Sequence, residues 1–144
     1  SEDVGNADPQ ALTVAVSAAQ AVERIGMPEA QIILSQAATY VACAPKSNAA
    51  CNAIFAANEE VKRSGNLPIP THLQDAHYKG AAKLGHGTGY KYAHDYPNHY
   101  VDQQYLPYEL TGKKYYEPSW NGYEVKIREH MKRIKEEAKE KGAD

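Results

Sequence analysis

The stretch DPQALTVAVSAAQAVERIG, residues 8–26, decides the fold of this chain. Asp8 and Pro9 predict a helix start, because Asp accepts hydrogen bonds from free backbone N–H groups and Pro at the first helical position has no N–H to leave unpaired. The residues that follow are mostly Ala, Val, Leu and Ile, interrupted by polar residues at a helical spacing of three and four. A helix with so narrow a polar stripe is expected to be covered on most sides, by other helices or by another subunit. The stripe consists of Gln10, Thr13, Ser17, Gln20 and Arg24.

The sequence on the C-terminal side of this stretch predicts two further helices. One runs from about Glu29 until Pro45 stops it, and the next is capped by Ser47 and ends at Gly65. Because the connections are short, consecutive helices are expected to lie antiparallel. Apolar residues at helical spacing predict the inner face of the third helix: Ala50, Ile54, Ala57 and Val61.

The pattern becomes irregular after Pro70. A short helix is predicted from Thr71 to about Leu84, and residues 85–122 show no periodicity but hold most of the tyrosines. Long loops without secondary structure are uncommon inside compact domains and are usually functional or packed by their own side chains. We therefore predict an ordered strap in which three glycines adopt backbone conformations that other residues resist, holding two tyrosine rings against the helices. These residues are Gly85, Gly87, Gly89, Tyr90 and Tyr92.

A charged helix is predicted from about Tyr123 to Lys141. Asn121 and Glu124 have the spacing of a capping box, in which two side chains and two backbone N–H groups pair reciprocally. The rest of this helix alternates basic and acidic residues at i to i+4 spacing, which is typical of a partly solvated helix. The sequence thus predicts an all-α fold: an antiparallel helical bundle over residues 1–84, the Tyr-rich strap over 85–122 and the C-terminal helix over 123–144.

Composition narrows the class of protein. The chain has 144 residues with 42% hydrophobic and 24% charged side chains, and no stretch approaches the roughly 18 apolar residues of a membrane span. It starts without Met and lacks the pattern of a signal peptide, so we interpret it as a piece of a longer cytoplasmic protein. Cys43 and Cys51 are expected to be buried as small apolar residues rather than joined in a disulfide.

Several catalytic chemistries receive little support. Residues 80–87 have nearly the spacing of a phosphate-binding loop, but His86 and Gly87 stand where that loop needs Lys and Ser or Thr. No Gly-x-Ser-x-Gly elbow is present. A metal site is a weak alternative, because the spacing of the candidate ligands matches no common zinc pattern and hydrogen bonds to backbone or tyrosine explain them as well. Those candidates are His86, His94 and His99, with Asp95 and Asp102 nearby.

Two surfaces are candidates for binding. The first is a subunit interface on the apolar first and third helices, formed by Leu12, Val16, Ala18, Ala50, Ile54 and Ala57. The second is a basic and aromatic surface able to stack single-stranded bases or bind another partner, formed by Tyr78, Lys79, Lys83, Tyr90, Lys91 and Tyr92. The alternative for the second is a solvated edge beside packed rings. The formal net charge of −2 favours assembly over DNA binding, since nonspecific affinity for DNA grows with the phosphates neutralised by Lys and Arg.

Blocks along the chain resemble the C-terminal region of the replication-associated recombination protein A family, which includes the eukaryotic Werner helicase-interacting protein. The resemblance covers residues 1 to about 124. The blocks are SEDVGNADP (1–9), ACAPKSNA (42–49), PTHL (70–73), DAHYKG (75–80), YKYAHD (90–95), QYLP (104–107) and YYEP (115–118).

The resemblance implies more than the residues alone do. Full-length members have an N-terminal AAA+ ATPase module, a helical region like the clamp-loader collar that assembles tetramers, and a role at stalled replication forks with DNA and single-strand-binding protein as partners. ATP and Mg would then bind in the missing module, so no catalytic residue is carried over to this chain. The expected function is oligomerisation, with DNA contact through the strap as the alternative, in a cytoplasmic, nucleoid-associated protein.

Overall fold

The structure, a computed structural model, describes residues 1–141. These residues form four α-helices joined by loops and six short 3₁₀ turns, and no β-strand occurs among them. The predicted all-α fold is therefore confirmed. The helices are α1 (Gln10–Ile25), α2 (Ala30–Cys43), α3 (Ala49–Ser64) and α4 (Glu124–Lys141).

The ends of α1 follow from local chemistry. The carboxylate of Asp8 accepts a hydrogen bond from the backbone N–H of Gln10 at 3.0 Å, which satisfies one of the N–H groups left free at a helix start. At the other end Gly26 takes φ of 74° and donates its N–H to the Val22 carbonyl at 3.0 Å. A side chain with a Cβ resists this left-handed conformation, so glycine is the residue that ends the helix here. The helix start predicted at Asp8 and Pro9 is confirmed.

The chain divides into two compact units, and the first contains residues 1–58 and 115–129. In unit 1, α1 and α2 pack against each other. The buried residues of these two helices are small, namely Ala11, Ala18 and Ala30, and Ala18 lies at the contact with Ile33 and Ala37 of α2. Small residues let two helix backbones approach closely, but they cover little of the larger apolar side chains beside them.

Unit 2 contains residues 59–114 and the part of α4 that starts at His130. Its buried apolar residues include Ala81 and Val101. Glu60 is buried as well, and its carboxylate lies 2.5 Å from the Arg63 guanidinium and 3.2 Å from the Lys113 ammonium. These two pairs hold the pKa of Glu60 below its usual value, mainly through hydrogen bonds from Arg63 and then Lys113.

The predicted helix from Thr71 to Leu84 is wrong. The structure has two separate 3₁₀ turns, Thr71–Leu73 and Ala81–Leu84. Between them the Asp75 carboxylate accepts the backbone N–H of His77 at 2.9 Å, and Gly80 takes φ of 105°. The Asp turn and the positive φ are both incompatible with a continuous helix.

The predicted capping box at the start of α4 is also wrong. The Asn121 backbone N–H donates to Ser119 Oγ at 3.1 Å, and its side-chain amide donates to the Lys46 carbonyl at 2.8 Å. The Glu124 side chain turns inward instead of reaching back to Asn121. The predicted i to i+4 pairing further along α4 is confirmed by Lys132 with Glu136 and Arg133 with Glu137. Residues 142–144, included in the predicted C-terminal segment, lie outside the described residues.

The strap was predicted correctly in its backbone but not in its side chains. Gly85, Gly87 and Gly89 all take positive φ, as expected. Tyr90 and Tyr92, however, are about half exposed, so the predicted cover over their rings is at most partial. A tyrosine ring has a polar tip and tolerates water on one side, so its abundance does not by itself predict burial.

Candidate functional site: exposed apolar helices on a buried carboxylate centre

A buried carboxylate at the start of α4 holds unit 1 together. Glu124 is 0% exposed. Its carboxylate accepts three hydrogen bonds, from Ser47 Oγ at 2.6 Å, Tyr116 Oη at 2.8 Å and the Ser119 backbone N–H at 2.7 Å. The donors come from the α2–α3 connection and from the loop that precedes α4. One side chain therefore joins parts of the chain that are far apart in sequence.

The N-terminal segment is fastened to the same place. The Ser47 backbone N–H donates to the Asp3 carbonyl at 2.9 Å, and the Tyr123 N–H donates to the Ala7 carbonyl at 2.7 Å. Asn6 Nδ2 donates to the Tyr116 hydroxyl at 3.2 Å. Gly122 takes φ of 53° so close to the Ala7 carbonyl that a Cβ at this position would overlap it. Only glycine both adopts this positive φ easily and leaves room for the Ala7 carbonyl.

The electrostatics of this centre favour an ionised Glu124. Burial raises the pKa of the carboxyl and is the largest single influence, but hydrogen bonds from Ser119, Ser47 and Tyr116 favour the charged form. Their combined effect is larger, so the pKa of Glu124 lies below its ordinary value. The centre is a fixed, charged structural link, with its acceptor oxygens occupied by donors of the same chain.

The predicted interface residues fall into two groups. Leu12 and Val16 on α1 and Ile54 on α3 are exposed, at 56%, 49% and 54%, although they are large apolar side chains. Ala50 and Ala57, also on α3, are half-buried. The inner face predicted for α3 is therefore only partly covered by the described residues, because Ile54 and Val61 remain more than half exposed.

Ala18 is different from the other candidates. It is only 8% exposed and lines the contact between α1 and α2 together with Ile33 and Ala37 of α2. Its surface is already covered within the chain. Ala18 therefore has to be removed from the candidate interface, since the α1 helix turns this position toward its neighbour rather than outward.

Sequence reasoning missed further exposed apolar residues on the same helices. Ile32 and Leu34 on α2 and Phe55 on α3 are all exposed. The signal was present, since these residues stand in helices whose partner contacts use mainly alanine. Trp120, in the turn before α4, is 72% exposed and was also missed.

The predicted basic and aromatic surface lies in unit 2, and all six of its residues are exposed. The Tyr78 hydroxyl is hydrogen-bonded to His86 Nδ1 at 2.6 Å. Lys91 is held through its backbone, since its carbonyl accepts the Gln103 side-chain amide at 3.0 Å. The first contact orients the Tyr78 ring and the second holds the backbone at Lys91, while the six side chains remain exposed.

The candidate histidines and the two cysteines lie apart from the Glu124 centre. The rings of His94 and His99 lie 4.8 Å apart, beside Tyr92, as a small aromatic stack. Within residues 1–141, no three His, Cys, Asp or Glu residues are grouped to hold a metal ion. Cys43 is exposed, so its predicted burial is wrong because the last turn of α2 faces solvent, while Cys51 is half-buried.

These features define an all-α domain in which a fixed polar centre supports helices with uncovered apolar sides. The chain belongs to the family described as MgsA AAA+ ATPase C terminal, whose model matches residues 1–135.

Named relatives support the same assignment. The chain is 44% identical over 132 residues to the replication-associated recombination protein A of Coxiella burnetii and 47% identical over 121 residues to that of Bacillus subtilis. It is 50% identical over 135 residues to an uncharacterized AAA domain-containing protein of Mycobacterium tuberculosis. The matches cover 91%, 84% and 94% of this chain but only 30%, 29% and 30% of those proteins. The chain therefore corresponds to about a third of the length of its relatives.

No helix among residues 1–141 is both long enough and apolar enough to span a bilayer.

Proposed function

We propose that this chain is the oligomerisation and scaffold domain of a DNA-dependent AAA+ ATPase that acts in replication-fork maintenance, recombination and repair. The observation that carries the proposal is the set of large apolar side chains left exposed on α1, α2 and α3 in unit 1. A second copy of the chain is the partner that would cover them, and a tetramer is the expected assembly.

The energetics favour covering these side chains. Transferring a fully exposed Leu, Ile or Phe side chain out of water gains about 1.5–3 kcal/mol. Leu12, Ile32, Ile54 and Phe55 each retain more than half of their exposure. Association has its own cost in lost translational and rotational freedom, so several such residues must be buried together. An interface of more than roughly 1,000 Å² would do so.

The test is light scattering on the chain over a dilution series. We expect an oligomer whose dissociation responds little to salt, because apolar burial is not screened. Ile54→Glu should dissociate it, since an unpaired buried carboxylate is costly to desolvate. Ala56→Glu is the matched control, because Ala56 is exposed on the same helix and lies about 160° around its axis from Ile54 and about 100° from Phe55. A monomer at tens of micromolar in low and high salt contradicts the proposal.

The role of the domain in the longer protein follows from this proposal. ATP and Mg would bind in the ATPase module, outside this chain, and DNA and single-strand-binding protein would be partners of the whole assembly. The domain would set the number and spacing of ATPase modules.

A second candidate function is DNA contact through the basic and aromatic surface of unit 2. Exposure of Tyr78, Tyr90 and Tyr92 favours it, because about half of each residue remains accessible for stacking. Unit 2 also carries more Lys and Arg than Asp and Glu residues, unlike unit 1.

This second function predicts a salt-dependent affinity for single strands. Fluorescence anisotropy with a labelled oligothymidine measures the binding constant at several salt concentrations. The slope of log binding constant against log salt concentration should become shallower by about 0.7 for each phosphate contact removed. The triple variant K79A/K83A/K91A should lower both affinity and slope, whereas Lys62→Ala, on α3, should not. If both variants bind oligothymidine with the same affinity and the same salt slope, the basic and aromatic surface does not contact DNA.

A further inference from the structure

The turn before α4 presents two aromatic rings, each beside a cation. Trp120 is 72% exposed, and the Arg128 guanidinium carbon lies 4.4 Å from the centre of its ring. Tyr123 is about half exposed, and Lys126 Nζ lies 5.7 Å from the centre of its ring. Trp, Tyr and Arg are the residues most enriched among those that dominate binding energy in protein interfaces.

The backbone that carries these rings is held rigidly. Asn121 is bonded to Ser119 and to the Lys46 carbonyl, and the Tyr123 N–H is bonded to the Ala7 carbonyl. Gly122 lies between them, so close to the Ala7 carbonyl that a side chain would overlap it. Several contacts thus determine the position of a tryptophan whose own ring is left largely in water. Preorganisation of this kind reduces the entropy lost on binding.

An open pocket lies next to Tyr123 and Lys126. It has a volume of about 670 Å³ and is lined mainly by apolar groups of Ala7, Pro9 and Pro45, with Asp8 and Gln10 as polar members. Such a lining fits an apolar side chain of a protein better than a nucleobase and phosphate. Unit 1 carries four Lys and Arg residues against eight Asp and Glu residues, so its overall charge also opposes a nucleic acid.

We propose that Trp120, Tyr123 and Arg128, with the adjoining pocket, form the docking surface for a second copy of this chain. This inference rests on the self-association proposed above and names the anchor of that association. A second copy supplies what the surface lacks: exposed apolar side chains such as Ile32 and Phe55 on its own unit 1, and surplus carboxylates for Arg128 and Lys126. Two chains meeting in this way would each lose an exposed apolar surface.

Trp120 allows a direct test, because it is the single tryptophan of the chain. Its fluorescence is followed over the same dilution series as light scattering. On association we expect the emission to shift to shorter wavelength and acrylamide quenching to decrease. If light scattering shows an oligomer while emission and quenching stay constant, the docking surface is wrong and the self-association proposal stands. If no oligomer forms at any concentration, both proposals are wrong.

Variants complete the test. Trp120→Ala should raise the dissociation constant of the oligomer roughly tenfold or more, as expected for an interface anchor. At concentrations where wild type and variant are both monomeric, the unfolding midpoint should change little, because the exposed ring packs little. Tyr90→Ala removes an exposed ring from unit 2 and should leave association unchanged. Unaltered association of Trp120→Ala overturns the proposal. Quenching of Trp120 by oligothymidine at concentrations where the chain is monomeric also overturns it, in favour of a nucleic-acid surface.

Discussion

Removal of the Glu124 carboxylate should be among the most destabilising single changes in this chain. In Glu124→Ala the hydroxyls of Ser47 and Tyr116 and the Ser119 N–H lose their acceptor. A buried donor left unsatisfied costs about 1–3 kcal/mol, and water that enters the vacated space recovers part of this. We expect a loss of about 3–5 kcal/mol in the free energy of unfolding, measured by urea denaturation at pH 7. That is a large part of the roughly 5–15 kcal/mol typical of a domain.

The pH dependence separates a charged centre from simple packing. Because the pKa of Glu124 is lowered in the folded chain, its contribution is complete above the unfolded-state pKa of about 4.3 and is lost as the pH falls through the lower folded-state value. The stability gap between the wild type and Glu124→Gln should therefore be full at pH 7 and shrink below about pH 4. Glu129→Gln, at an exposed site on the same helix, is the control and should show little effect. A gap of unchanged size from pH 7 to pH 3 would refute the reasoning.

Further predictions concern packing. Gly122→Ala should destabilise the chain by well over the ~1 kcal/mol expected for positive φ alone, because its Cβ would overlap the Ala7 carbonyl. Gly65→Ala, which faces open space, should cost only about 1 kcal/mol. Thermal unfolding of the two variants measures the difference. Ala18→Glu should unfold the monomer rather than only dissociate the oligomer, since Ala18 is buried against α2. A folded, monomeric Ala18→Glu chain by circular dichroism and light scattering would contradict this.

The helices were predictable because their ends depend on nearby residues. Asp8 caps α1 within two residues, and Gly26 and Gly65 end their helices through their own backbone conformations. The Glu124 centre was not predictable from spacing. Its link to Ser47 joins residues 77 positions apart, and the short-range pattern with Asn121 pointed to a different partner. Local chemistry identifies a helix end, but the direction of a side chain at that end depends on which distant segment arrives there.

The candidate surfaces were predicted with similar limits. Periodicity correctly placed Leu12, Val16 and Ile54 on α1 and α3, but it could not separate a side covered by a neighbour from a side left open. Ala18 is an example, because only the packing of α2 against α1 shows that this residue is buried. Trp120 lies in an irregular turn, where no periodic pattern exists to draw attention to it.

The long-range contacts that hold unit 1 together affect how the protein folds during synthesis. Asn6 binds Tyr116 across 110 residues, and Glu124 completes the same centre. During synthesis at about 5–20 residues per second, α1, α2 and α3 leave the ribosome several seconds before the segment that fixes them. Contacts this distant in sequence also slow folding, because a long loop must close before they form. Nascent chains whose α4 has not yet left the ribosome therefore expose their apolar helices without the polar centre. Such chains are expected to be sensitive to proteases and to require chaperones until residue 124 has left the ribosome.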